Sequence, residues 1–223
     1  MTRIGNRLHR PTRRLTQLYA GLVLYGVSTA LMIRSHLGSM PWDVLHQGIA
    51  GRTGLAFGWV SIGVGAAVLL IWIPLRQRPG LGTISNVLII GPVADRTLAL
   101  VPAPHPIAVR VVLLVGGIVL NGLAGGLYIG ASLGPGPRDG LMTGLAARTG
   151  RSIRLIRTGI EVVVVIAGAA LGGVFGAGTV LYALAIGPLV QLFLPWFTVR
   201  LSPAAGTGPR AHPTGAGARP AGR

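Results

Sequence analysis

Two aspartates sit in matching surroundings. Asp43 closes Gly38-Ser39-Met40-Pro41-Trp42-Asp43, and Asp139 closes Gly134-Pro135-Gly136-Pro137-Arg138-Asp139. A carboxylate behind a Gly/Pro break can do one of two things. It can cap the short helix that begins near the proline, where an acid favours the helix N-terminus. Alternatively it can face a ligand, coordinating a cation or a proton while the helix end offers free N–H groups to an anion or a carbonyl. On the second reading the ligand-binding candidates are Gly38, Pro41, Trp42, Asp43 and His46 in one break, and Gly134, Pro137, Arg138 and Asp139 in the other. Glu161, an acid inside an apolar run, joins them, because ionisable groups at membrane depth are costly and mark pathways. Its competing role is a pair with Arg157, four residues earlier on the same helix face.

The elements that must hold these residues occur twice. Asp139 follows Asp43 by 96 residues, and the same ungapped shift carries Arg52-Thr53-Gly54 onto Arg148-Thr149-Gly150 and Gly82-Thr83 onto Gly178-Thr179. It also carries Gly91-Pro92 onto Gly187-Pro188. This is internal duplication. Both Gly–Pro pairs fall in mid-span, where proline removes a hydrogen bond and acts either as a packing kink or as a hinge.

Composition sets the class. The chain is 51% hydrophobic and 11% charged, about half the charged share of a soluble domain. Long apolar runs make it an all-α membrane protein. The expected crossings are 15–33, 57–75, 81–101, 107–131, 158–171 and 179–199, six in all, since the short helices at 44–50 and 140–147 cannot reach across. Two inverted three-helix repeats follow, each with a re-entrant or interfacial short helix. The divisions are a basic cytoplasmic segment (1–14), repeat 1 (15–101), a Pro-rich connector (102–106), repeat 2 (107–200) and a disordered cytoplasmic tail (201–223).

All twenty basic residues are arginine, giving a formal charge of +16. They cluster in the tails and in loops on one side of the six-crossing plan, which places both termini in the cytoplasm. Membrane orientation and contact with anionic lipid headgroups account for them better than nucleic acid, which needs a basic face on a soluble fold. No cysteine is present, and histidines at 36, 46 and 105 lack metal spacing, so neither metal nor other cofactor is expected. No phosphate loop and no nucleophile–base–acid set points to an enzyme. Gly122, Gly126 and Gly130, like Gly168, Gly172 and Gly176, have the spacing of close helix contact.

Leu37-Gly38-Ser39-Met40-Pro41-Trp42-Asp43-Val44-Leu45-His46-Gln47-Gly48 resembles the signature of the YczE-like bacterial membrane proteins, within the wider YczE/YyaS/YitT group, as do Gly80-Leu81-Gly82-Thr83 and Gly134 to Met142. The resemblance covers residues 15–200 and implies a multi-pass protein of the bacterial cytoplasmic membrane. It brings no activity and no site residues. Two functions fit the architecture: a small secondary transporter or channel with its site at the two breaks, or a non-transporting regulatory or interaction protein whose arginine-rich segments contact lipid or an acidic partner.

Overall fold

The computed structural model describes residues 11–104 and 106–198. The N-terminal segment to residue 10, His105 of the connector and the tail from 199 lie outside the described residues, as do the expectations made for them. All elements below belong to the unit Arg10–Val199.

Among the described residues the chain is helical throughout: α1 (Pro11–Ser35), α2 (Pro41–Thr53), α3 (Phe57–Leu75), α4 (Leu81–Leu100), α5 (Ile107–Gly130), α6 (Pro137–Thr149), α7 (Ile153–Ala170) and α8 (Ala177–Phe197). Each of the first four has a counterpart 96 residues later whose ends agree to within one residue. The local chemistry that sets these ends is also duplicated. Pro41 and Pro137 open α2 and α6, where a missing N–H costs nothing. Gly54 (φ 71°) and Gly150 (φ 67°) stop them in left-handed geometry, returning their N–H groups to Ala50 and Ala146. Both short helices reach 13 residues, longer than their apolar runs suggest, because polar last turns extend them. At about 20 Å they still fall short of a bilayer core.

Among the described residues four helices are long and apolar enough to cross a membrane: α1, α3, α5 and α8. The other two long helices, α4 and α7, carry Asp95-Arg96 and Arg154, Arg157 and Glu161 respectively, and are not among them. Outward faces are apolar, with Trp59, Ile73, Val112, Leu184 and Trp196 all about two-thirds exposed or more. A face of that kind suits lipid rather than water.

The equivalent helices α1 and α5 pack together, antiparallel. Arg14, at the start of α1, donates from Nε to the Ala131 carbonyl at 2.8 Å and from Nη2 to Ser132 at 2.6 Å. Arg110, its counterpart on α5, donates from Nε to Ser35 at 2.7 Å and from Nη2 to His36 at 2.9 Å. Each guanidinium thus closes the C-terminal end of the other helix, where the last carbonyls have no partner. Small residues allow the close approach. A Cβ on Gly21 would stand 2.9 Å from the Tyr128 nitrogen, and one on Gly117 would stand 2.8 Å from Met32.

The remaining packing keeps the same reciprocity. α1 packs on α4 as α5 packs on α8, and α2 on α7 as α6 on α3. The glycine stripe of α5 faces α8 within the chain: Gly122 meets Leu189, Gly126 meets Phe193 and Gly130 meets Phe197.

Candidate functional site

The segments leaving α1 and α5 fold back so that α2 and α6 meet at their first turns. Gly38 (φ 113°) and Gly134 (φ 128°) make those reversals in backbone geometry that side chains avoid. Leu37 accepts the Gly178 N–H at 2.8 Å and Leu133 accepts the Gly82 N–H at 2.9 Å, pinning each reversal to the start of α8 or α4. Gly38 and Gly134 are therefore turn residues, held away from the cavity described next.

At the meeting point the equivalent residues Trp42 and Arg138 face one another. The Arg138 guanidinium lies 5.1 Å from the centre of the Trp42 ring, within cation–π range. Its Nη2 stands 3.7 Å from Asp43 Oδ1, and its Nη1 is 3.3 Å from the Met40 sulfur. His46 Nδ1 lies 3.4 Å from the same Asp43 oxygen. The two breaks thus form one cluster.

This pair separates two cavities. The larger, about 270 Å³, is lined by residues including Asn121, Tyr182, Ile186, Met142, Arg157 and Glu161. The smaller, about 80 Å³, is lined by residues including Tyr25, Asn86, Ile90, His46, Ser61 and Gly65. Shifting the second set by 96 generates the first. Tyr25, Trp42, Tyr128, Arg138 and Asp139 line both. The halves match in position and differ in chemistry: Ser61 and Gly65 on one side stand where Arg157 and Glu161 stand on the other.

Neither aspartate caps its helix. The N-cap positions are Met40 and Gly136, and no side chain bonds either helix start. Asp43 is buried, with Oδ2 lacking a partner among the described residues, as do both ring nitrogens of buried His46 and Nε1 of Trp42. Buried polar atoms without partners are uncommon and costly. Asp139 is open to the cavity and accepts one hydrogen bond, from the Tyr128 hydroxyl at 2.8 Å. The local pair expected for Glu161 is formed, Arg157 Nε donating at 2.8 Å, and it sits on the cavity wall.

Pro41 lines the larger half and Pro137 the smaller. The Pro137 carbonyl accepts the buried Trp72 indole N–H at 3.0 Å, which anchors the start of α6. The Gly–Pro pairs do not break their helices. Gly91 is pressed against the Gly58 backbone on α3, whereas Gly187 lines the larger half with open space where a Cβ would stand.

Sequence reasoning missed the aromatic wall. Three of the chain's four tyrosines, Tyr25, Tyr128 and Tyr182, stand at the cavity. The available signal was their placement within apolar runs, since a buried phenol needs a partner for its hydroxyl. Tyr182 donates to Asn121 Oδ1 at 3.0 Å, and Asn121 donates to Ser28 Oγ at 2.8 Å.

An all-helical fold with apolar outward faces, doubled in sequence and enclosing a polar cavity, defines a multi-pass membrane protein. Residues 12–195 match the family described as Family of unknown function (DUF6198), and the chain belongs to that family. It is 41% identical over 182 residues to a Haemophilus influenzae protein described as "Uncharacterized protein", covering 82% of this chain and 84% of the relative. It is 33% identical to "Uncharacterized membrane protein YczE" of Bacillus subtilis, covering 82% and 86%. It is 26% identical to "Uncharacterized protein YyaS" of the same species, covering 78% and 89%. These relatives bear out the YczE-like resemblance. No solved structure matches the chain.

Proposed function

We propose that the protein is a small secondary carrier of the bacterial cytoplasmic membrane, moving a solute unchanged through the cavity at Trp42 and Arg138. The observation that carries this reading is the pair of half-cavities, interconverted by the 96-residue shift and divided by one contact between equivalent residues. In an inverted repeat the two halves are the natural inward and outward vestibules. Exchanging the conformations of the two repeats would enlarge the smaller half and shrink the larger. The antiparallel packing of α1 on α5 supports inversion, because equivalent crossing helices that run oppositely belong to oppositely inserted repeats. On this reading α4 and α7 also cross, their charges held within the bundle, while α2 and α6 begin at the shared site and run out toward opposite faces. Both termini lie in the cytoplasm.

The topology has its own test. Leu55 and Arg151 are equivalent, exposed loop residues, and the chain has no cysteine. Leu55→Cys should react with an impermeant maleimide from outside the cell, and Arg151→Cys only after permeabilisation. Labelling of both from the same side would end the inverted arrangement. Transport is tested by solute uptake into proteoliposomes, with Asp43→Asn and Asp139→Asn as controls. Signals from the double variant equal to wild type across every solute would remove the site, and a complete lack of uptake would favour the regulatory alternative.

A further inference from the structure

The chain holds only four carboxylates against twenty guanidiniums. Three of the four, Asp43, Asp139 and Glu161, gather at the cavity, two on its lining and Asp43 within 3.7 Å of the lining residue Arg138. The fourth, Asp95, accepts the Gly58 N–H at 2.9 Å at the start of α3, away from this cluster. Two of the three are already matched: Glu161 by Arg157 at 2.8 Å, and Asp43 by Arg138 at 3.7 Å. Both guanidiniums are thereby engaged, and Arg138 is further held on the Trp42 face. Asp139 makes no ion pair among the described residues and has only the Tyr128 hydroxyl. The cavity therefore presents one unmatched negative charge, in a molecule whose overall charge is strongly positive.

The surroundings of that charge are aromatic. Tyr25, Tyr128, Tyr182 and Trp42 line the larger half, with the Tyr25 and Tyr128 rings edge to face at 6.2 Å. Aromatic faces around a carboxylate attract a cation whose charge is spread over carbon. A hydrated inorganic ion would leave these rings unused. A free anion would meet Asp139 with no unengaged guanidinium to offset it.

Resting on the carrier reading of this cavity, we infer that its ligand is a small organic monocation, a substituted or quaternary ammonium, with its charge against Asp139 and its alkyl groups against the tyrosines. The volume of about 270 Å³ suits a compact molecule.

The test is calorimetric titration of the full chain in phosphatidylglycerol nanodiscs with choline, tetramethylammonium, and 3,3-dimethylbutanol, the neutral carbon counterpart of choline. Choline and tetramethylammonium should bind, and the neutral compound should bind at least about tenfold more weakly, because it lacks the charge that meets Asp139. Asp139→Asn should weaken choline by a similar factor, while Asp95→Asn should leave it unchanged. Discs containing phosphatidylcholine distinguish a lipid headgroup from a free solute: lowered choline affinity there assigns the same cation chemistry to lipid. The inference is overturned if the neutral compound equals choline, if Asp139→Asn binds normally, or if no ammonium binds at millimolar concentration. The comparison between choline and its neutral counterpart needs no variant, so poor folding of Asp139→Asn leaves the test intact. Cation binding without uptake would defeat the carrier and keep the ligand class. Uptake of anionic or neutral solutes that is indifferent to Asp139→Asn would defeat the ligand class and keep the carrier.

Discussion

Gly140→Ala is a one-methyl change whose consequence can be worked out from the packing. Gly140 lies on the first turn of α6, beside Asp139, and a Cβ there would fall within the Trp72 indole. Trp72 is fully buried in a cluster with Trp42, Val68, Leu141 and Val164, so the ring has no free space to move into. Its N–H is also bonded to Pro137, so a shift large enough to admit the methyl lengthens that bond. Overpacking of this kind costs about 1–3 kcal/mol, and the strained hydrogen bond adds about 1 kcal/mol. Against this stands the helix-propensity gain from replacing glycine, about 0.5–1 kcal/mol. The net expectation is a loss of about 1–3 kcal/mol, measured by reversible denaturation in mixed micelles. Gly159→Ala is the control. Gly159 is also helical, with nothing within 4 Å of its Cβ position, so only the propensity gain should appear. Pairing Gly140→Ala with Trp72→Phe should recover part of the loss, giving a coupling of about 0.5 kcal/mol or more. If Gly140→Ala and Gly159→Ala are equally stable, the close approach of α6 to α3 is misplaced, and with it the support beneath Arg138 and Asp139.

The reciprocal guanidinium clamps should be unequal. Arg14 is buried and Arg110 only partly so; Arg14→Ala should cost about 2–4 kcal/mol and Arg110→Ala about half that, since exposed charge interactions are weak. Equal small losses in denaturation would deny them a role in closing the α1–α5 pair. Asn121→Leu removes the middle of the Ser28–Asn121–Tyr182 chain and leaves a buried phenol without a partner; the expected cost is about 1–3 kcal/mol. Tyr182→Phe on that background should restore stability, and additive losses would show the two side chains are not coupled.

The sequence alone locates the repeats, the breaks and the paired aspartates, because backbone needs are local. Pro41 and Pro137 can only begin a helix, and Gly54 and Gly150 can end one without strain. The roles assigned to side chains were less legible. Asp43 and Asp139 occupy first-turn positions that capping would explain equally well from sequence; the N-caps at Met40 and Gly136 and the approach of Arg138 and Tyr128 separate the readings. Arg14 reads in the sequence as the last residue of the polar segment 1–14 that precedes the apolar run. It belongs to α1 and is buried against carbonyls 117 residues away, a contact no local pattern encodes. The tyrosines were invisible for the same reason: within apolar runs an aromatic reads as core, and their convergence comes from three different helices.

Where two equivalent residues meet, two identical chains would be forced into a like pair. Fusion of the copies removes that restriction, and this chain uses the freedom repeatedly. Trp42 faces Arg138 where identity would set two indoles or two guanidiniums together. Val44 stands against Gly168 in one interface, while their counterparts Gly140 and Trp72 meet in the other with the large and small partners exchanged. If the contact at the centre depends on the pair rather than on which copy supplies each member, exchanging the two should be tolerated better than changing one. Trp42→Arg alone brings two guanidiniums together in a largely buried position, a like-charge contact costing several kcal/mol. Trp42→Arg with Arg138→Trp restores one aromatic and one cation, and places the new arginine beside Asp43 in sequence and near Asp139 in space. The double variant should recover at least about half of the stability lost by Trp42→Arg, read as a positive coupling in a double-mutant cycle. A double variant no more stable than the sum of its parts would mean that the shapes on either side of this contact have diverged too far for the two copies to exchange roles, and a carrier working by that exchange would lose its physical basis.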